Sequence, residues 1–320
     1  MRDSDPIPSV TGDVEVGELR WLYPHEHLLV SWGEYRGETV ASYPGNTEYA
    51  RRQITAMLIE LKALGVDALI DATPMGIGRD EAYVQFARGV SAATGVRVFL
   101  STGLYATAHW PPWAREWSAA QIGDLFTRDL ETGIGDTGVR ACLLKAAVGI
   151  EITADEEKAL TACAIAHGRT GAAVQVHSIG CRREIVDLLT GQGVDPSRIY
   201  IAHVDMNTSA EEFLWLAERG VRLVTTNWDF PHHMDQDEAM RLLKLLIAAG
   251  HLDKILVSID FGLSIETRWC VGLWTWDNPD RTSYAYLHTG VLPKLRAAGL
   301  TEAHLQTIMR DNPLKMLRRR

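Results

Sequence analysis

The feature that most constrains this chain is its rhythm. Short, β-rich apolar runs recur at 19–23, 68–72, 98–102, 141–147, 173–177, 199–203, 223–226 and 255–259, with amphipathic stretches between them. The runs are continuously hydrophobic rather than alternating, as parallel strands covered on both faces should be. In the stretch 48–64, Ala50, Ile54, Met57, Leu58 and Leu61 fall at steps of three and four residues, one face of a helix. Further helices are expected at 119–132, 154–167, 182–189, 210–219, 236–249 and 282–298. Eight strands alternating with helices is the arithmetic of an α/β chain folded as a (β/α)8 TIM barrel, and 320 residues suffice for one with long loops. No linker, composition break or low-complexity tract divides the sequence, so a single domain over 1–320 is expected. A doubly wound sheet would carry a glycine-rich turn after its first strand, but Pro24-His25-Glu26-His27 occupies that place.

Charge narrows the function classes. With 41 acidic and 32 basic residues the net charge is −9, and no basic stripe offers a nucleic-acid footprint. Arg318, Arg319 and Arg320 read as a solvated tail. The cysteines at 142, 163, 181 and 270 form no Cys-x-x-Cys pair, and a chain of this length needs no disulfide framework. No apolar run reaches membrane-spanning length, and Asp3, Asp5 and two prolines within 1–10 exclude a signal-peptide core. A cytoplasmic protein without a membrane partner is expected.

The polar residues at the ends of the apolar runs carry the chemistry. His25 and His27, two apart on an extended segment, project to the same side and can converge on one ion. Histidine is the commonest nitrogen ligand of zinc-like metals, and the C-terminal end of barrel strands is where active sites are built. His177 closes Val174-Gln175-Val176-His177, His203 closes Ile201-Ala202-His203, and Asp260 follows Leu256-Val257-Ser258-Ile259. Singly, each reads as a satisfied core histidine or a helix-capping aspartate; together, at one end of one barrel, they read as a metal centre. Lys145 lies inside the otherwise apolar 142–148, where a lone ammonium is costly. Either it pairs with Asp260 or another acid, or its neutral amine is covalently modified into an oxygen ligand.

These residues resemble the phosphotriesterase family of the amidohydrolase superfamily, which includes the phosphotriesterase-like lactonases. The resemblance runs from Pro24-His25-Glu26-His27-Leu28 through Gly78-Arg79-Asp80, Gly103-Leu104-Tyr105, Lys145-Ala146-Ala147, Val176-His177-Ser178, Ala202-His203-Val204-Asp205 and Ser258-Ile259-Asp260-Phe261 to Asp311-Asn312-Pro313. It implies a metal-dependent hydrolase with two divalent ions, zinc first, though cobalt, manganese or iron suits the same donors. His25, His27 and Asp260 would hold one ion, His177 and His203 the other, and Lys145, carboxylated by carbon dioxide, would bridge both. A hydroxide between the metals would be the nucleophile, one ion polarising the substrate oxygen, with Asp260 accepting the proton. The likeness also implies a homodimer. No Gly-x-Ser-x-Gly elbow rivals this mechanism.

Substrate is read from the loops. Of the 10 tryptophans, Trp32, Trp110, Trp113, Trp228, Trp269, Trp274 and Trp276 fall on expected strand-to-helix loops, an aromatic rim that favours a small molecule with an apolar arm. Trp110 and Trp113 serve equally as a subunit interface. Trp228, Trp269, Trp274 and Trp276 are assigned to the pocket, and Tyr105 matches a tyrosine of the family's lactonases. Two positions depart from the family pattern: Asn227 stands where lactonases carry arginine, and Met206 replaces an acid relay that His232 or His233 could take over. The expected reaction is hydrolysis of a lactone or carboxylic ester, with promiscuous phosphotriesterase activity. The alternatives are an amidase acting on an N-acyl compound, a catalytically silent metal-binding homologue and, remotely, a single-metal deaminase.

Overall fold

The computed structural model describes residues 6–33, 37–228, 236–267, 270–273 and 282–319. An antiparallel hairpin comes first, β1 (Ile7–Ser9) with β2 (Gly12–Val14). Next come β3 (Leu22–Glu26), the short β4 (Leu29–Ser31), β5 (Ala68–Asp71), β6 (Arg97–Leu104), β7 (Leu143–Val148) and β8 (Val174–Ser178). β9 (Ile199–Ala202), β10 (Arg222–Thr225) and β11 (Ile255–Val257) follow, then β12 (Leu263–Thr267) and β13 (Cys270–Leu273). Eight of these form one parallel sheet in the order β11-β10-β9-β8-β7-β6-β5-β3. Its two ends meet across a seam, giving a TIM barrel wrapped by helices. β4, β12 and β13 make a separate three-stranded sheet.

The barrel strands fall where the apolar runs predict, with ends shifted by a residue or two, except the first. That strand is Leu22–Glu26 rather than 19–23, because the chain ahead of it turns through a 3-10 helix at Val16–Glu18 and Arg20 is tied to Asp67. Pro24, which has no N–H to give, coincides with an irregularity in the β3–β5 register between Tyr23 and Glu26. His25 thus lies within the strand and His27 just beyond it.

Helices obey local capping chemistry. α1 (Pro44–Ala63) opens with proline; α2 (Glu81–Thr94) is N-capped by Asp80, which accepts from Tyr83 N at 2.7 Å, and ends at Gly95 with φ 70°. α2 is additional to the expected set. Its buried face of Tyr83, Val84, Phe86, Ala87 and Val90 is broad rather than a narrow stripe, and its ends are marked by Asp80 and Gly95. The short α3 (Pro112–Glu116) precedes α4 (Ala119–Glu131), while α5 (Ala154–Thr170) starts on a Thr153–Glu156 capping box. α6 (Arg182–Gly191), α7 (Ala210–Glu218) and α8 (Gln236–Ala248) match their expected positions. The helix expected at 282–298 is instead a wide π turn, Leu287–Val291, leading into α9 (Leu292–Ala297). A second π turn, Thr307–Asp311, likewise runs into a helix with proline in its first turn, Asn312–Leu317. In both places Pro293 and Pro313 lack the donor that a regular turn requires, and the wider turn absorbs the defect.

Inside the barrel, Leu22, Ile70, Phe99, Leu143, Tyr200 and Leu256 share one buried cluster with Met316 and Leu317 from the C-terminal helix. The lower barrel is therefore packed solid. Two residues further along the same strands, the inward face turns polar: Leu143 is followed by Lys145, and Ala173 by Gln175 and then His177. Parallel register sets Lys145 beside Gln175 and Ala147 beside His177. Gly103 permits this layer, since a Cβ there would sit 1.7 Å from the Lys145 carbonyl oxygen.

Candidate metal centre

The first and last barrel strands supply the tightest cluster. His25 Nε2 and His27 Nε2 lie 3.3 and 3.0 Å from Asp260 Oδ1, and one donor atom from each residue falls within 4.8 Å of the others. Lys145 Nζ is 3.3 Å from His25 Nε2. The His203 ring is centred 5.1 Å from His25 and 4.3 Å from His177, and Tyr105 stands edge-on to His177 at 5.5 Å. The fold thus gathers His25, His27, Lys145, His177, His203, Asp260 and Tyr105 at the C-terminal ends of the strands. Lys145 forms no direct ion pair with Asp260 among the described residues, so the first reading of that lysine lacks its partner contact.

Burial sets the protonation states. It lowers His25 and His177 to about 3, helped in both by the nearby Lys145 charge, and it drives His203 well below the usual range with His177 beside it. These imidazoles are neutral, with lone pairs free for a cation. Burial alone would raise Asp260, but the flanking His25 and His27 hold its carboxyl well below the carboxylate range. Lys145 is lowered to about 7 by burial, against the pull of Asp260. A set of neutral imidazoles around one ionised carboxylate is metal-binding chemistry.

Each half is oriented from behind. His27 Nδ1 meets Thr73 Oγ1 at 2.8 Å; Thr73 is held in turn by Tyr83 and, through its backbone N–H, by Asp71 at 3.0 Å. The Tyr83 hydroxyl also donates to Asp71. His203 Nδ1 meets Thr226 Oγ1 at 2.6 Å, which leaves its buried Nε2 without a protein partner and turned to the centre. That orphaned nitrogen fits a bound cation. Asp205 accepts from Thr226 N at 2.9 Å and from the Asn227 amide at 3.2 Å; Arg182 donates to the carbonyls of His203 and Met206. His203 and Asp260 adopt left-handed φ of 61° and 52°, a conformation that costs roughly 1–3 kcal/mol each and clusters at functional sites.

The profile of the Phosphotriesterase family matches residues 6–317. The chain belongs to the phosphotriesterase family. A phosphotriesterase homology protein of Mycobacterium tuberculosis is 30% identical over 98% of both chains. The aryldialkylphosphatase of Saccharolobus solfataricus is 28% identical over 97% of this chain and 98% of its own, and human N-acetyltaurine hydrolase is 28% identical over 98% of both. Among solved structures, a mutant of a PTE-like lactonase from Deinococcus radiodurans superposes with a TM-score of 0.85 at 26% identity, covering 98% of this chain and 100% of that one. Membership makes the protein a hydrolase of a metal-dependent family, and no described helix is long and apolar enough to cross a membrane.

In this phosphotriesterase-family chain the expected aromatic rim is only partly a rim. Trp110 is buried, and its indole donates to the Tyr105 carbonyl at 2.6 Å, so it props the tyrosine rather than facing a substrate or a partner subunit. Trp113 packs against Trp117 in a tilted arrangement, ring centres 4.7 Å apart. Trp228 is also buried, donating to Thr225 Oγ1 at 3.2 Å. Trp32 does stand near the site, 6.0 Å from Tyr105 and 5.0 Å from His109 between ring centres. Asn227 faces Asp205 and Thr226, so the Asp205 carboxylate is committed to strand ends rather than to proton relay. Trp269, Trp274, Trp276, His232 and His233 lie outside the described residues.

Sequence reasoning missed Glu26, Thr73, Tyr83, Thr226 and His109. Glu26 was readable only as the spacer in His-x-His. It is buried between the strands, accepting from Ser258 Oγ at 2.7 Å and from the backbone of Ile259 at 3.1 Å and Phe261 at 2.7 Å. Burial raises Glu26 to about 8, against the three donors, which favour its ionised form.

Proposed function

We propose that this chain hydrolyses a lactone or carboxylic ester with an apolar arm, and phosphotriesters weakly, using two divalent ions, zinc first. His25, His27 and Asp260 would hold one ion and His177 and His203 the other, with Lys145 carboxylated to bridge them. The observation that carries this reading is the placement of Lys145, a buried amine set 3.3 Å from a neutral imidazole and without an acid partner among the described residues. The neutral amine forms an N–C bond to carbon dioxide as one C=O π bond opens, and it loses one proton; counted from the ammonium two protons leave, so a costly cation is replaced by an anionic oxygen donor. When bound, the ions supply an activated water and polarise the scissile carbonyl or phosphoryl oxygen.

The protein's own groups do the rest. Asp260, kept ionised by its histidine neighbours, takes the proton of the attacking water. Tyr105, whose phenol burial keeps protonated, donates a hydrogen bond to the substrate oxygen beside His177. Trp32 and His109 provide a wall for the apolar arm. Likeness to the PTE-like lactonase supports ring-opening of a lactone, while likeness to N-acetyltaurine hydrolase favours a second reading, hydrolysis of an N-acyl amide. The test is a panel of γ- and δ-lactones, aryl esters, phosphotriesters and N-acyl amides, run on protein loaded with zinc and bicarbonate. Turnover of lactones or esters above the rest supports the first reading, of amides the second, and none across the panel leaves a silent metal-binding homologue. We also propose a homodimer, which light scattering checks directly.

A further inference from the structure

We propose that Glu26 is a positioning residue for Asp260: its carboxylate holds the backbone on both sides of Asp260 and thereby aims that side chain at His25 and His27. The inference rests on Asp260 being a metal ligand. β11 ends at Val257, and the last contact with the neighbouring strand is Ser258 N to Thr225 O at 2.9 Å. Beyond that point the chain turns through Asp260 in a left-handed conformation, φ 52°, which aspartate adopts more readily than most residues but still at a cost.

Glu26 supplies what the ladder does not. Its Oε1 accepts from Ile259 N at 3.1 Å and Ser258 Oγ at 2.7 Å, its Oε2 from Phe261 N at 2.7 Å, and His27, the next residue of the chain, acts in concert by donating its N–H to Phe261 O at 2.8 Å. Gly262 lets the chain pass, since a Cβ there would lie 2.8 Å from His27 Cβ. The two N–H groups bracketing Asp260 therefore point at one carboxylate that lies between the two histidines in sequence. Glutamine at this place keeps the volume but turns an amide N–H2 on a donor, so one of the holds is lost.

A residue that merely closes the barrel seam would change thermal stability and nothing else, so metal affinity is the deciding readout. Wild type, Glu26→Gln, Asp260→Asn and Asn312→Ala are compared by zinc competition against a chromogenic chelator, well below their melting temperatures. Asn312→Ala is the control for stability alone: it removes bonds to Leu252 O at 2.9 Å and Ile255 O at 2.7 Å at the foot of β11. Glu26→Gln should weaken one zinc equivalent by about 10–100-fold, the usual effect of losing a group behind a ligand. Asn312→Ala should melt earlier yet bind zinc as the wild type does. Wild-type zinc affinity in folded Glu26→Gln overturns the proposal. If that variant does not fold, Glu26→Asp, which draws the carboxyl group back from Ile259 N and Phe261 N, should still weaken zinc by about threefold, and its failure to do so overturns the proposal. Unchanged affinity in Asp260→Asn would bring down the metal-site reading and this inference together; a loss in Asp260→Asn alone brings down only the role of Glu26.

Discussion

The two halves of the candidate metal centre are built in different ways. His177 and His203 sit at the ends of adjacent strands, β8 and β9, whose ladder pairs His177 with Ala202 directly. His25 and His27 come from near one end of the chain and Asp260 from near the other, and they meet across the seam where side chains replace the ladder. The first half inherits its geometry from consecutive strand pairing. The second exists only once the barrel has closed, and it depends on one buried carboxylate. Both halves share a device: a left-handed candidate ligand whose backbone is held by a buried side chain, Arg182 for His203 and Glu26 for Asp260. Strain at the candidate ligands is balanced by groups that stand behind them.

Perturbations should separate the halves. Lys145→Ala lies between them and should have the largest effect, removing both zinc equivalents and lowering kcat by about 10³-fold or more, read by metal analysis and steady-state kinetics. Retained metal and turnover would make Lys145 structural. Arg182→Met strikes the His203 half alone. It strips the His203 and Met206 carbonyls and Glu212 of their donor, and should destabilise the fold by about 3 kcal/mol in denaturant titration. Thr226→Val and Thr73→Val remove the hydroxyls behind His203 and His27 and should each weaken a different zinc equivalent by about tenfold in chelator competition. Loss of the same equivalent in both variants would mean the halves are not distinct.

The smallest effect concerns the seam half and acid. His288 Nδ1 bonds the Tyr23 hydroxyl at 2.7 Å, at the root of β3, and burial lowers His288 to about 4. Its folded pKa lies below the unfolded value of about 6.5, so the unfolded chain takes up the proton first. The stability it contributes is complete above about pH 6.5 and is lost as pH falls towards 4. After allowance for its partial exposure, a loss of about 1 kcal/mol is expected, seen as a melting temperature that drops less steeply with acid in His288→Asn.

The candidate site was largely legible because its ligands are local anomalies. A histidine, lysine or aspartate ending an apolar run breaks the pattern of its own strand, and the barrel's geometry gives every such break the same address. What stands behind the ligands was not legible. Thr73 and Thr226 are ordinary threonines in sequence, and nothing near Glu26 announces partners at 258–261. Trp110 misled for the converse reason: flanking prolines mark a loop, but a loop tryptophan can fold inward once a carbonyl such as that of Tyr105 lies within reach.

Periodicity and strand-end chemistry were therefore enough to specify the barrel and to point out the candidate donors that the fold gathers at one rim, since each is encoded within a few neighbouring residues. Closure decided the rest: which carboxylate spans the seam, which threonine backs each imidazole, and why His203 and Asp260 turn left-handed. Those contacts join residues far apart in the chain, and their energies appear only when the strands are already in place.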